Sequence, residues 1–183
     1  MKKIALLVGH RKGSQGAFGS AGISEWAFNK ELVKEIVKAA ENLDAELKIF
    51  YRKDEGSGYT ERIKEVHREI DAWGADITIS FHFNAALNAN ANGHEVLHCA
   101  SSQKSGEYAE IMNNIFNRNL NNRDRGVKPK TMEDRGGGFL CRGKSHCILI
   151  EPFFAYYQNE YMPGTEGRKS LIDSIVEFIK TVS

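Results

Sequence analysis

A single α/β domain is expected, built on a mostly parallel, twisted sheet of about six strands with helices on both faces. Three observations predict it. Apolar runs alternate along the chain with amphipathic stretches of helical period, the pattern of strands joined by crossover helices. Two runs, Ile4-Ala5-Leu6-Leu7-Val8 and Cys147-Ile148-Leu149-Ile150, are apolar without interruption, as strands buried on both faces are. The length, 183 residues, is that of one domain, and neither an internal repeat nor a long linker divides it.

The first run closes at Gly9. Over 24–43, Phe28, Leu32, Ile36 and Ala40 recur every four residues with Val33 and Val37 beside them, which predicts a helix with Ser24 as its N-cap. Residues 47–51 read as a second strand. Thr60 is expected to cap a helix carrying Ile63, Val66, Ile70 and Trp73 at three- and four-residue steps. The β-branched and aromatic residues of 77–83 predict a third strand, and 85–93, with its Asn-Ala-Asn-Ala-Asn, a loop. A short strand is expected over 95–99. Tyr108, Ile111, Met112, Ile115 and Leu120 mark a helix, a polar stretch surrounds 121–125, and Leu171, Ile172, Ile175, Val176 and Ile179 make a closing helix. Gly136-Gly137-Gly138 reads as a flexible loop, His67 and His146 as structural residues, and Tyr156 and Tyr157 as rim or packing residues.

Composition excludes several function classes. At 41% hydrophobic the chain can bury an ordinary core. A net charge of +1 lacks the basic footprint of a nucleic-acid binder. No apolar run approaches the roughly 20 residues of a membrane-spanning helix. Met1-Lys2-Lys3 is basic enough to open a secretory signal, but the apolar run after it is shorter than an h-region of about 7–15 residues. Synthesis in the cytoplasm without a signal peptide is therefore expected. The three cysteines, Cys99, Cys141 and Cys147, form no CxxC pair. A Cys141–Cys147 bridge is one arrangement; buried thiols are the expected one.

In open α/β sheets, sites form beyond the carboxyl ends of the strands. The first run ends in Gly9-His10, the third in Ser80-Phe81-His82-Phe83-Asn84, and the last in Glu151. After His10, a Gly-rich segment over 13–22 leads into the first helix, whose first turn carries Glu25. The helix dipole favours an ionised carboxylate there, which is the form a metal ligand needs. Two imidazoles and one carboxylate with a fourth position for water make a catalytic zinc set, and a further carboxylate beside them can act as general base. Taken singly, each of these residues has a plainer reading: a core or surface histidine, a helix-start glutamate, an ion-paired glutamate. The coincidence of three strand ends favours a site.

These segments carry a resemblance. Val8-Gly9-His10 with its Gly-rich loop, Ser24-Glu25 opening a helix, Ser80-Phe81-His82-Phe83-Asn84-Ala85 and Leu149-Ile150-Glu151-Pro152-Phe153 resemble the zinc-dependent N-acetylmuramoyl-L-alanine amidases, the autolysins and phage lysins that cut peptidoglycan. The likeness runs in order over almost the whole chain, and Val8 stands where the family has an Asp-Pro lead-in. The resemblance implies that 1–183 is an amidase catalytic domain without a separate wall-binding domain. It implies that His10, Glu25 and His82 bind Zn2+ and that Glu151 is the catalytic carboxylate. Arg125-Gly126 and Arg142 also resemble polar positions of the family, and Asn84 and Arg142 are expected to contact substrate. The implied partner is a peptidoglycan muropeptide, with neither nucleic acid nor membrane, and the implied state a monomer. The segment after His82 leaves no room for the helical insertion that occludes some regulated autolysins, which suits a phage or prophage lysin acting on the wall after release.

His94-Glu95-Val96-Leu97-His98 also spells HExxH, a zinc motif that works only on a helix. Here it follows a loop and precedes Ser101-Ser102. As a strand it would hold the two histidines roughly 13 Å apart, too far to share an ion about 2 Å from each. A strand with the Gly-x-Glu-Val pattern is what the resemblance expects at this place. Two rival functions remain to be separated from the amidase: a metallopeptidase built on His94 and His98, and a non-catalytic wall-binding module.

Overall fold

The structure, a computed structural model, describes residues 1–54 and 58–183. Its strands are β1 (Lys2–Val8), β2 (Ala45–Tyr51), β3 (Ile77–Phe81), β4 (His94–Cys99), β5 (Asp124–Lys130) and β6 (His146–Glu151). The helices are α1 (Glu25–Ala39), α2 (Gly58–Trp73), α3 (Gln103–Asn119), the short α4 (Gly137–Leu140) and α5 (Glu166–Val182), with a 3-10 turn over Ala155–Tyr161. One six-stranded sheet runs in the order β2-β1-β3-β6-β4-β5. The first four strands are mutually parallel, β4 runs antiparallel to β6, and β5 is parallel to β4.

Side-chain alternation sorts the core into two layers, because residues two apart on a strand share a face. Ile4, Leu6, Val8, Ile77, Ile79, Phe81, Val96, Ile148 and Ile150 pack beneath α1, α3 and α5. Ala5, Leu7, Leu97, Cys99, Cys147 and Leu149 meet Ile63, Val66 and Ile70 of α2 and Phe139 and Leu140 of α4. Glu95 and Glu151 continue the second set in phase with Leu97 and Leu149, and Glu95 pairs directly with Glu151 on the antiparallel ladder. Both carboxylates therefore stand on the α2–α4 face at the edge where β1, β3 and β6 end. The one reversal in the sheet is what brings the amino end of β4 to the carboxyl end of β6.

Ser24 caps α1, its hydroxyl accepting from the Ala27 N–H at 3.2 Å. The segment before it is held in place: Glu25 N–H donates to Ala17 O, Trp26 N–H donates to Gln15 O, and Asp54 receives both the Gly13 N–H and Arg11. No described helix is long and apolar enough to cross a membrane.

Several expectations require correction. Helix α2 starts at Gly58, so Thr60 lies in its first turn and is not its cap, and residues 55–57 just before it lie outside the described residues. Strand β3 stops at Phe81, leaving His82 and Phe83 beyond the ladder. The polar run near 121–125 leads into β5, an edge strand paired on one side only, which is why its pattern is polar and why it tolerates Pro129. Gly136-Gly137-Gly138 is not a plain loop: it opens α4. The cysteines are not all thiols. Cys99 at the end of β4 and Cys141 at the end of α4 form a disulfide across 5.0 Å between Cα atoms, and Cys147 is the buried thiol. The partners are 42 residues apart in sequence, and only the packing of α4 on β4 makes them neighbours.

Because the Ser24 cap fixes the start of the helix that carries Glu25, Ser24→Ala should lower unfolding free energy by about 1 kcal/mol, measured by urea denaturation at neutral pH.

Candidate metal centre and active-site cavity

Four chain segments converge at the carboxyl edge of the sheet. His10 follows β1 by one glycine, Glu25 opens α1, His82 follows β3, and Glu151 closes β6. His10, Glu25 and His82 each present a ligand atom within 4.8 Å of the others, the only such group among the described residues. The Glu25 carboxylate, on a residue only 4% exposed, is the hub. Its Oε2 lies 2.9 Å from His10 Nε2 and its Oε1 2.7 Å from His82 Nδ1. The N–H groups of Phe83 and Ala17 donate to the same two oxygens, at 3.2 and 3.4 Å. Burial alone would raise the Glu25 pKa, but the hydrogen bonds and charges of His10 and His82 outweigh it and hold it down to about 2. Burial also pushes the His82 imidazole below its ordinary value, against the pull of Glu25. An ionised carboxylate and a neutral imidazole are the ligand forms a metal requires.

The backbone is shaped around this group. His10 sits at φ 62°, the one described non-glycine residue with positive φ, a conformation of roughly 1–2 kcal/mol cost. At Gly16, φ is +77°, and a Cβ would lie 2.6 Å from both Glu25 Oε2 and His10 Cδ2. At Gly9 it would lie 2.6 Å from the His82 ring. Two of the glycines in and before the Gly-rich loop are thus needed to let the backbone close on the three ligands. Atoms bound to one tetrahedral zinc at about 2.0–2.1 Å stand about 3.3 Å apart, so the two Glu25–histidine separations of 2.9 and 2.7 Å need only a small expansion to fit, within a group that spans no more than 4.8 Å.

A cavity of about 930 Å³ opens over these residues. Leu7, Leu97, Leu149 and Phe139 form its apolar side, and Glu151, Asn84 and Arg142 all line it. Glu151 is pushed up to about 8, first by burial and then by the charges of Glu95 and Glu25, against Arg135 and Arg125. Glu95, not singled out in the sequence, accepts from Asn84 Nδ2 at 2.7 Å and from Arg125 Nε at 3.0 Å. Its signal was the alternation of β4, in which Glu95, Leu97 and Cys99 share a face. Arg52, just past the end of β2, and Arg135, in the connection before α4, also line the cavity; the sequence does not reveal the course of either segment.

The two HExxH histidines take no part, although Glu95 between them lines the cavity. His94 is fully buried on the opposite face, bonded to Asn122 Oδ1 at 2.6 Å and Asn117 Oδ1 at 3.1 Å, with its ring against Phe116. His98 turns its Nδ1 to the Cys99 carbonyl. His67 hydrogen-bonds the Phe139 carbonyl and so ties α2 to α4, His146 packs against Tyr108, Tyr156 is exposed, and Tyr157 packs on the core.

Residues 4–181 match the family described as N-acetylmuramoyl-L-alanine amidase. The chain belongs to this family. Amide hydrolysis in peptidoglycan comes with that membership. Solved amidase structures share the fold. The catalytic domain of the CD27L endolysin targeting Clostridia difficile aligns at TM-score 0.79 and 24% identity, over 99% of this chain and 98% of that one. The catalytic domain of CwlV from Paenibacillus polymyxa aligns at 0.76 and 17% identity, over 98% of both chains. AmiC2 of Nostoc punctiforme aligns at 0.78 and 18%, over 99% of this chain and 96% of that one. No curated protein sequence matches the chain.

Two outcomes test the site's electrostatics. Gly16→Ala should weaken zinc binding at least tenfold in a chelator-competition titration while circular dichroism stays unchanged. Because Glu151 holds its proton more tightly in the folded amidase than its ordinary value of 4.5, its ionisation costs stability as pH rises from 4.5 towards 8. Metal-free Glu151→Gln should therefore gain stability over wild type across that interval, read as a gap in urea midpoints that is small at pH 4.5 and wide at pH 8.5.

Proposed function

We propose that this amidase is a zinc enzyme that hydrolyses the amide between the lactyl group of N-acetylmuramic acid and L-alanine, with His10, Glu25 and His82 as ligands and Glu151 as catalytic acid–base. The observation that carries the reading is the convergence of the three ligand atoms in one cavity with a carboxyl group whose pKa is about 8. A zinc ion bound there supplies Lewis acidity, making water more acidic and an amide carbonyl more electrophilic.

The chain's own residues supply the rest. Burial and the neighbouring carboxylates raise the proton affinity of Glu151, which suits it to accept the proton of the attacking water and return it to the departing amine. Glu95 keeps that affinity high through like charge, and is itself held by Asn84 and Arg125. Asn84 and Arg142 are placed along the cavity to orient the substrate. The apolar side of the cavity lowers the local dielectric in which these groups act.

The biological setting belongs to the same proposal: a monomeric phage or prophage lysin acting on the wall after release. The structural likeness to the CD27L endolysin domain supports it, as does segment 85–93, which carries no helix over the cavity. The Cys99–Cys141 disulfide suits an oxidising exterior.

Glu151→Gln should keep zinc at one equivalent by metal analysis yet lower kcat for stem-peptide release by at least about a hundredfold; undiminished release would remove Glu151 from its role. His94→Ala should retain both zinc and activity in whatever fraction folds. Zinc lost from folded His94→Ala would favour the metallopeptidase reading. Lysis of purified sacculi that persists after exhaustive chelation would contradict a metal-dependent reaction, and absence of lysis with zinc supplied would leave a wall-binding module.

A further inference from the structure

Arg52, Arg135 and Arg142 line the cavity without an ion pair to any described carboxylate. Arg52 follows β2, Arg135 precedes α4 and Arg142 follows α4, so separate segments deliver them to one place. Other arginines have acidic partners: Arg11 pairs with Asp54, Arg118 with Glu177, Arg125 with Glu95 and Arg168 with Glu35. Arg52, Arg135 and Arg142 form no ion pair with a described residue.

The cavity's own carboxylates do not fill the gap, because each is already engaged. Glu25 is held by His10 and His82, and Glu95 by Arg125 and Asn84. Asp134 accepts from the N–H and hydroxyl of Thr131, and Glu151 retains its proton towards neutrality.

Arg52 is the sharpest case. It is half-buried, its Nε is enclosed without a hydrogen-bond partner, and its guanidinium lies 5.9 Å from the centre of the Tyr59 ring. A guanidinium stays charged in any such setting, and with Tyr59 and the more distant Glu25 as its described company and its Nε unsatisfied, Arg52 is stabilised by an anion that meets it directly. Arg52 lies close enough to Glu25 and His82, and Arg135 to Glu151, for their charges to act on those groups. The free positive charge thus flanks the reacting centre on two sides.

We propose that Arg52, Arg135 and Arg142 form an anion subsite that takes free carboxylates of the stem peptide, so that the enzyme selects acidic stems over amidated ones. The inference rests on the amidase reading of the same cavity. In that substrate the lactyl carboxyl is consumed in the scissile amide, so the negative charge left is on the peptide side. A guanidinium fork matches a carboxylate with two parallel hydrogen bonds.

The test uses zinc-loaded enzyme and N-acetylmuramoyl-L-alanyl-D-glutamate, with both carboxylates free or both converted to carboxamides. Wild type should show kcat/KM at least about tenfold higher on the diacid, the ratio collapsing towards one in Arg52→Gln, Arg135→Gln and Arg142→Gln. Arg135 is exposed, so its variant keeps the test open if Arg52→Gln folds poorly. Calorimetric binding of the released dipeptide to wild type, diacid against diamide, should show the same preference without turnover. Equal kcat/KM and equal binding would overturn the subsite while leaving the amidase reading intact. Failure to cleave either compound, with no dipeptide bound, would overturn both.

Discussion

One buried carboxylate organises this molecule's functional end. Glu25 accepts two imidazoles and two backbone N–H groups, one pair from the segment after β1 and one from the residues that follow β3. His10 reaches it by adopting a left-handed backbone, Gly16 and Gly9 by lacking a side chain, and Phe83 by leaving the β3 ladder early. A solitary buried anion would be costly; here the hydrogen bonds of its neighbours keep it ionised. The same set of donors is what a divalent cation would find on arrival. Structural and catalytic demands therefore meet in one group.

The sheet supplies the second half of the arrangement. Parallel β1, β3 and β6 end together, which aligns the residues after them, while the reversal at β4 sets Glu95 against Glu151. Two carboxylates side by side in a largely apolar setting cannot both ionise cheaply. Glu95 is engaged by Arg125 and Asn84, and Glu151, raised first by burial and then by the charge of Glu95, carries the raised pKa. An ordinary topological feature becomes a way of dividing labour between two like residues. The disulfide from β4 to α4 and the His67 bond to Phe139 hold the facing wall of the cavity, with its arginines, against this edge.

Much of this was legible in the amino-acid order, for definite reasons. Short uninterrupted apolar runs rich in β-branched residues and bounded by Gly or Pro read as buried strands, so the places where Gly9-His10, His82 and Glu151 interrupt them were visible as edge positions. Ser24-Glu25 declared itself as a helix start. Features that depend on the partner of a strand were hidden. Strand β5 is polar because it is an edge, and Glu95 matters because of which strand lies beside it. Cys99 and Cys141 meet through helix packing and not through spacing. Likewise Arg52 just past β2 and Arg135 in a turn have no periodicity to mark their direction, and only the folded cavity gives them a common destination.

The central claim is that residues 10, 25 and 82 share one ion. Anomalous diffraction at the zinc absorption edge from crystals of the zinc-loaded protein tests it most directly. The account predicts one strong peak about 2.0–2.2 Å from His10 Nε2, His82 Nδ1 and a Glu25 oxygen. A peak beside His94 or His98, or none at the Glu25 carboxylate in fully loaded protein, would contradict it.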